Sequence, residues 1–192
     1  MRSVLLITAV LIIVIIVLIN LMSRAENLPV AIYGEGGPPA PTFQLYDQYG
    51  RAADLRNLSK YILLTFSYTG CPDVGYITVV RINQTLQKYP QLLSKLEVWV
   101  VTVSPDTDTA DRAREYTEKL GLPFRWLIGP RDGVERAWRS YNITVRYDPK
   151  AQYIAHDVRV YLITPTGRIM ARIDGVPSND ALVKVLSLLG VK

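Results

Sequence analysis

One cysteine and one histidine occur in the 192 residues, Cys71 and His156. A thiolate is both the soft-metal ligand and the sulfur nucleophile of proteins, and a neutral imidazole is the commonest metal ligand. Cys71 stands in Phe66-Ser67-Tyr68-Thr69-Gly70-Cys71-Pro72-Asp73-Val74-Gly75-Tyr76, behind an apolar run and ahead of a run with helical spacing. That order is expected to place the thiol in the first turn of a helix, where the dipole favours thiolate over thiol. With no second cysteine, an intrachain disulfide and a two-cysteine redox cycle are both excluded. Metal ligation, single-thiol redox chemistry, pairing with another chain and burial as an inert core residue remain. For His156 the choice is between a ligand and a surface or structural residue. Asp73 reads as a first-turn acid, and Asp108 with Thr109 as caps of the following helix. Tyr76 and Met170 each offer a weak extra donor, although packing is the plainer use of both.

Alternating elements must position these groups. Phe43–Leu45 and Ala52–Leu55 flank Asp47-Gln48-Tyr49-Gly50, a hairpin pattern. Tyr61–Phe66 and Val98–Val103 read as buried strands, and Asp73–Lys88 and Thr109–Leu120 as helices with stops at Pro90 and Gly121. Phe124–Ile128 is a short strand and Asp132–Tyr141 a short helix. Val158–Ile163 and Arg168–Ile173 form a hairpin around Thr164-Pro165-Thr166-Gly167. A last helix begins near Ser178, with Leu182, Val185, Leu186 and Leu189 on one stripe. A βαβ unit followed by an antiparallel hairpin and a closing helix is the thioredoxin-like plan: an α/β fold of three layers, with a central mixed sheet flanked by helices. In that plan a reactive thiol follows the first core strand, as Cys71 does here.

The flanks add a location. Val4 to Met22 is a run of 19 residues without charge in which only Thr8 and Asn20 are polar. Such a helix covers roughly 28 Å, about the hydrocarbon thickness of a bilayer. It reads as an N-terminal transmembrane anchor over residues 1–24. The alternative is a signal peptide cleaved near Ser23-Arg24-Ala25. Either places the remainder outside the cytoplasm. Residues 25–41, rich in Gly and Pro, read as a linker, and residues 42–192 as the folded domain. The 22 basic and 17 acidic residues are interspersed, which gives no nucleic-acid footprint.

Three ordered motifs give the chain a likeness. It resembles the SCO/SenC family, membrane-anchored thioredoxin-fold proteins that help deliver copper to the Cu(A) site of cytochrome c oxidase. The family motif T-x-C-P-D-V-C-P is matched by Thr69-Gly70-Cys71-Pro72-Asp73-Val74-Gly75-Tyr76. V-D-P-x-x-D-T is matched by Val103-Ser104-Pro105-Asp106-Thr107-Asp108-Thr109, with Ser104 in place of the first Asp. A histidine ahead of the late hairpin is matched by His156, followed by Tyr161-Leu162-Ile163 and Gly167. The resemblance implies copper, Cu(I) or Cu(II), on Cys71 and His156, with Gly75 standing where the family has a second cysteine. It implies as partner the copper-site subunit of cytochrome c oxidase or another copper-handling protein. Two other functions stay open: a thiol-dependent oxidoreductase working through Cys71 alone, peroxidase-like or by disulfide exchange, and a binding scaffold without metal.

Overall fold

A computed structural model describes residues 11–17, 30–56, 58–150 and 153–190. Residues 11–17 are helical (α1) with exposed side chains. The rest of the expected anchor lies outside the described residues, as do residues 25–29. Among the described residues no helix is long and apolar enough to cross a membrane.

The sheet is built from β1 (Val30–Ile32), β2 (Gln44–Asp47), β3 (Ala52–Asp54), β4 (Tyr61–Ser67), β5 (Leu96–Thr102), β6 (Phe124–Ile128), β9 (Arg159–Ile163) and β10 (Ile169–Asp174). Their order across it is β1-β10-β9-β4-β5-β6-β2-β3. The β4-β5-β6 centre is parallel and the flanks antiparallel. Parallel neighbours need crossovers. The helices α2 (Val74–Lys88) and α3 (Ala110–Lys119) supply them. α4 (Arg131–Ser140) and α5 (Asn179–Leu186) complete the layers.

Alternation along β4 and β5 feeds two cores. Leu63, Val98 and Val100 face Val79, Ile82 and Leu86 of α2 and Leu182 and Val185 of α5. Ile62, Leu64, Phe66, Trp99 and Val101 face Val134, Ala137 and Trp138 of α4. Burying each such aliphatic side chain contributes roughly 1.5–3 kcal/mol. This is the three-layer arrangement with a mixed sheet expected from the element pattern, and the expected strand and helix bounds move by two residues at most, except that the last α-helix ends at Leu186 and a 3-10 turn carries Ser187–Leu189.

Two differences matter. Part of the expected linker belongs to the sheet. β1 pairs with β10, and Pro39 bridges Arg168. A Cβ on Gly37 would stand 1.9 Å from the Ile169 carbonyl oxygen, so this glycine serves close backbone approach rather than flexibility. The folded unit therefore begins by Val30, not near Thr42. In addition, a hairpin absent from the sequence reading, β7 (Val145–Asp148) with β8 (Tyr153–His156), forms a separate two-stranded sheet.

Candidate metal centre

Strand β4 ends at Ser67, and Cys71 follows in the loop to α2 at the carboxyl ends of the parallel strands, the usual ligand crevice of open α/β sheets. The Cys71 amide donates to the Tyr68 carbonyl at 3.0 Å, which closes the turn. Helix α2 starts at Val74 with Asp73 as its N-cap, so Cys71 lies two residues ahead of the cap and Pro72 is outside the helix. The thiol was expected to be acidic. Instead, burial raises its pKa above the usual 9.0, and the amides of Asp73, Gly75 and Tyr76 only partly offset that. Desolvation wins because the thiol is 6% exposed.

His156 comes from the far end of the chain, on β8, yet its Nε2 lies 3.8 Å from Cys71 Sγ. Two donors sharing one first-row metal are at most about 4.3 Å apart, the span of two bonds of roughly 2.0–2.3 Å. Its Nδ1 lies 3.1 Å from the Asp157 carbonyl oxygen. A carbonyl only accepts, so Nδ1 carries the proton and Nε2 keeps its lone pair toward the thiol. Burial lowers the His156 pKa below 6.5, which keeps the ring neutral and able to ligate. Tyr68 ties the two segments together. Its ring meets the imidazole edge-on at 6.2 Å, and its hydroxyl accepts from the Ile154 amide at 3.4 Å.

Of the other residues singled out in the sequence, Asp73 comes within 3.4 Å of Cys71 Sγ through Oδ1. Tyr76 sits beside Gly75 at the start of α2 and is 41% exposed. Met170 is buried in the core on the α2/α5 face, far from a donor role. Thr109 caps α3 as expected, accepting from the Arg112 amide. Asp108 does not. Its buried carboxylate accepts from the Thr69 amide (3.2 Å) and hydroxyl (2.7 Å), the Thr102 hydroxyl (2.7 Å) and Trp126 Nε1 (3.0 Å). It thereby pins the Thr69-Gly70-Cys71 turn to β5 and β6. Its place in the second motif was the signal, but its spacing before a helix read equally well as a cap.

Gly75 lies against the centre. A Cβ there would stand 2.3 Å from Ser67 Oγ, 2.8 Å from Cys71 Sγ and 3.1 Å from His156 Nε2. Three polar atoms thus converge on one point. Ser67 is fully buried and its hydroxyl has no hydrogen-bond partner among the described residues. In the sequence Ser67 is marked only by a hydroxyl that closes the otherwise apolar run Ile62–Phe66, a signal blurred by Thr65 within that run. Among the described residues no group of three His, Cys, Asp or Glu can hold a metal. The donor set is one thiol and one imidazole, with the Ser67 hydroxyl beside them, and this set fits a soft or borderline metal.

The SCO1/SenC family model matches residues 34–189. The human "Protein SCO2 homolog, mitochondrial" is 30% identical over 154 residues, which is 75% of this chain and 55% of that protein. The human "Protein SCO1 homolog, mitochondrial" is 28% identical over 142 residues, 70% of this chain and 46% of that one. The chain thus spans about half the length of these curated relatives. Among solved structures, Arabidopsis thaliana ScoI with copper bound superposes with a TM-score of 0.70 at 18% identity, covering 79% of this chain and 98% of that one. A SCO1/SenC family lipoprotein from Bacillus anthracis gives 0.70 at 17% identity, covering 83% and 98%. The shared architecture is the thioredoxin-like α/β fold with a mixed sheet. On the match to its family model, which takes in both Cys71 and His156, the chain belongs to the SCO1/SenC family.

Proposed function

We propose that this protein is a membrane-anchored, extracytoplasmic copper carrier that serves assembly of the cytochrome c oxidase copper site through a reduced Cys71/His156 centre. One observation carries the reading: Sγ and Nε2 lie 3.8 Å apart, with the ring tautomer set so that its lone pair faces the sulfur. Copper is the cargo here. Family membership supports it, and so do structures such as Bradyrhizobium japonicum ScoI with copper bound, which shares the fold at a TM-score of 0.68. The anchor is the apolar run Val4–Met22, and the partner is a copper-handling protein such as the oxidase copper-site subunit.

The residues divide the work. Cys71 gives up its proton when the metal arrives and supplies the soft thiolate. His156 supplies a neutral nitrogen, its other nitrogen tied to the Asp157 carbonyl. With Gly75 in place of a second thiolate, the centre leaves coordination positions open to a ligand of the receiving protein. Such a site favours hand-over above storage. The thiol-redox reading fares worse, because burial raises the Cys71 pKa above the usual 9.0, whereas a redox nucleophile needs a thiol that ionises near neutral pH. The test is competitive Cu(I) titration of the full chain in detergent micelles. Cys71→Ser is expected to weaken binding by at least about 100-fold, roughly 2.7 kcal/mol. Equal affinity of the two proteins would leave a scaffold role.

A further inference from the structure

The Ser67 hydroxyl is the one feature of the centre that neither the fold nor the motif explains. Ser67 is fully buried at the end of β4, and among the described residues its Oγ is one of three buried side-chain polar atoms without a hydrogen-bond partner. A buried unpaired hydroxyl is costly, and natural structures keep few of them. The neighbouring Thr65 and Thr102 hydroxyls, equally buried, do have partners: the Arg159 carbonyl and the Asp108 carboxylate. The Ser67 Oγ instead points where a side chain on residue 75 would begin, 2.3 Å from that position, with Cys71 Sγ and His156 Nε2 within 3.1 Å of the same point.

We infer that Ser67 Oγ is a third polar contact of the metal pocket. It stands in the space freed by glycine at position 75 and turns a sulfur-nitrogen pair into a sulfur-nitrogen-oxygen set. The inference rests on the proposed copper reading and deepens it by naming the oxidation state. Soft thiolates select Cu(I), whereas imidazole and oxygen donors accept the harder Cu(II). One thiolate with one imidazole and one hydroxyl therefore shifts preference from Cu(I) toward Cu(II). The same geometry carries a steric corollary. A side chain at position 75 and the hydroxyl of Ser67 compete for one volume, so the two positions are coupled.

The experiment is paired titration of the full chain in detergent, with Cu(I) under anaerobic conditions and with Cu(II) followed by its sulfur-to-metal charge-transfer band. For Ser67→Ala we expect about a tenfold loss of Cu(II) affinity and a displaced band, with Cu(I) affinity held within about twofold. The metal-free Ser67→Ala protein should melt at a higher temperature than the unaltered chain, because it loses an orphaned buried hydroxyl. Unchanged Cu(II) affinity, an equal loss for both ions, or a lower melting temperature of the metal-free variant would each overturn the inference. Cu(II) binding that is unchanged in Ser67→Ala but lost in Cys71→Ser sinks the inference alone. Absence of copper binding in the unaltered chain removes the proposed function and the inference together.

Discussion

The two halves of the centre are held in opposite ways. Cys71 hangs from the parallel middle of the sheet, where β4 pairs with β5 over its whole length. The loop that carries it is fastened through Asp108, whose carboxylate gathers three side-chain donors and one amide from three segments. His156 rides on β7-β8, a two-stranded ribbon outside the main sheet whose residues are exposed or only half-buried. An isolated two-stranded hairpin is marginal by itself. The ribbon is secured at its base, where the Thr144 amide donates to Asp157 at 2.9 Å and the Asp157 amide returns to the Thr144 carbonyl at 3.0 Å. The thiol side is therefore fixed by the fold, and the imidazole side is the adjustable one. On the proposed copper-carrier reading the site releases its cargo, and movement then belongs on the side whose displacement costs least.

Breaking the fixed side gives the largest effect. Asp108→Ala strips partners from the Thr69 amide and hydroxyl, the Thr102 hydroxyl and the Trp126 indole, all buried or half-buried. A loss of roughly 3 kcal/mol is expected, from about 1–3 kcal/mol for each buried group left unsatisfied, some of them rescued by water. For a domain of this size that lowers Tm by about 6–12 °C. Differential scanning calorimetry of the metal-free protein measures it. A shift below about 2 °C would mean that the clamp does not hold the loop.

Breaking the adjustable side separates the two properties. His156→Ala should cost about 100-fold in Cu(I) affinity, roughly 2.7 kcal/mol, and no more than about 1 kcal/mol in folding stability, since the ring is only half-buried. Chelator competition and urea unfolding on one sample give both numbers. The contrast would collapse if this variant lost as much stability as Asp108→Ala. A smaller effect follows from loosening the base of the ribbon. Asp157→Ala removes the bond from the Thr144 amide, worth about 1 kcal/mol, and should weaken copper binding by less than tenfold because the backbone carbonyl that orients His156 stays.

The same contrast explains what could be read from the residues alone. Strong local signals made the fixed side legible. Apolar runs of strand length, Ser178 and Thr109 as helix caps, and the Thr164–Gly167 turn placed β4, β5, α3, α5 and the β9-β10 hairpin. Cys71 could be placed because a strand ends just before it. The ribbon was not legible, since Val145–Asp148 and Tyr153–His156 are short and mostly exposed or half-buried, and only Val145 and Ile154 pack against the core. Its pairing of Val145 with His156 is a tertiary fact. Val30–Ile32 was hidden for a related reason: a Gly- and Pro-rich stretch reads as linker unless the strand it leans on, β10, is known. The expected acidity of Cys71 failed because dipole reasoning is local, whereas the burial that outweighs it comes from the whole fold.

The smallest expected effect concerns pH, and it sets the two residues on opposite flanks of the stability curve of the metal-free protein. Burial lowers the His156 pKa below 6.5, so the folded state binds fewer protons there than the unfolded chain. Stability on this account is complete above 6.5 and declines as pH falls through the lowered value. Burial raises the Cys71 pKa above 9.0, so the folded state holds a proton that the unfolded chain releases. That contribution is complete below 9.0 and declines as pH rises through the raised value. His156→Gln should therefore flatten the acid flank relative to the unaltered chain and leave the alkaline flank alone, and Cys71→Ser should do the reverse. Urea unfolding midpoints at pH 5, 7.5 and 10 with a chelator present measure both differences, each expected to be about 1 kcal/mol or less. If Cys71→Ser also flattened the acid flank, the two groups would be titrating as one unit, and the division between a fixed thiol and an adjustable imidazole would have to be abandoned.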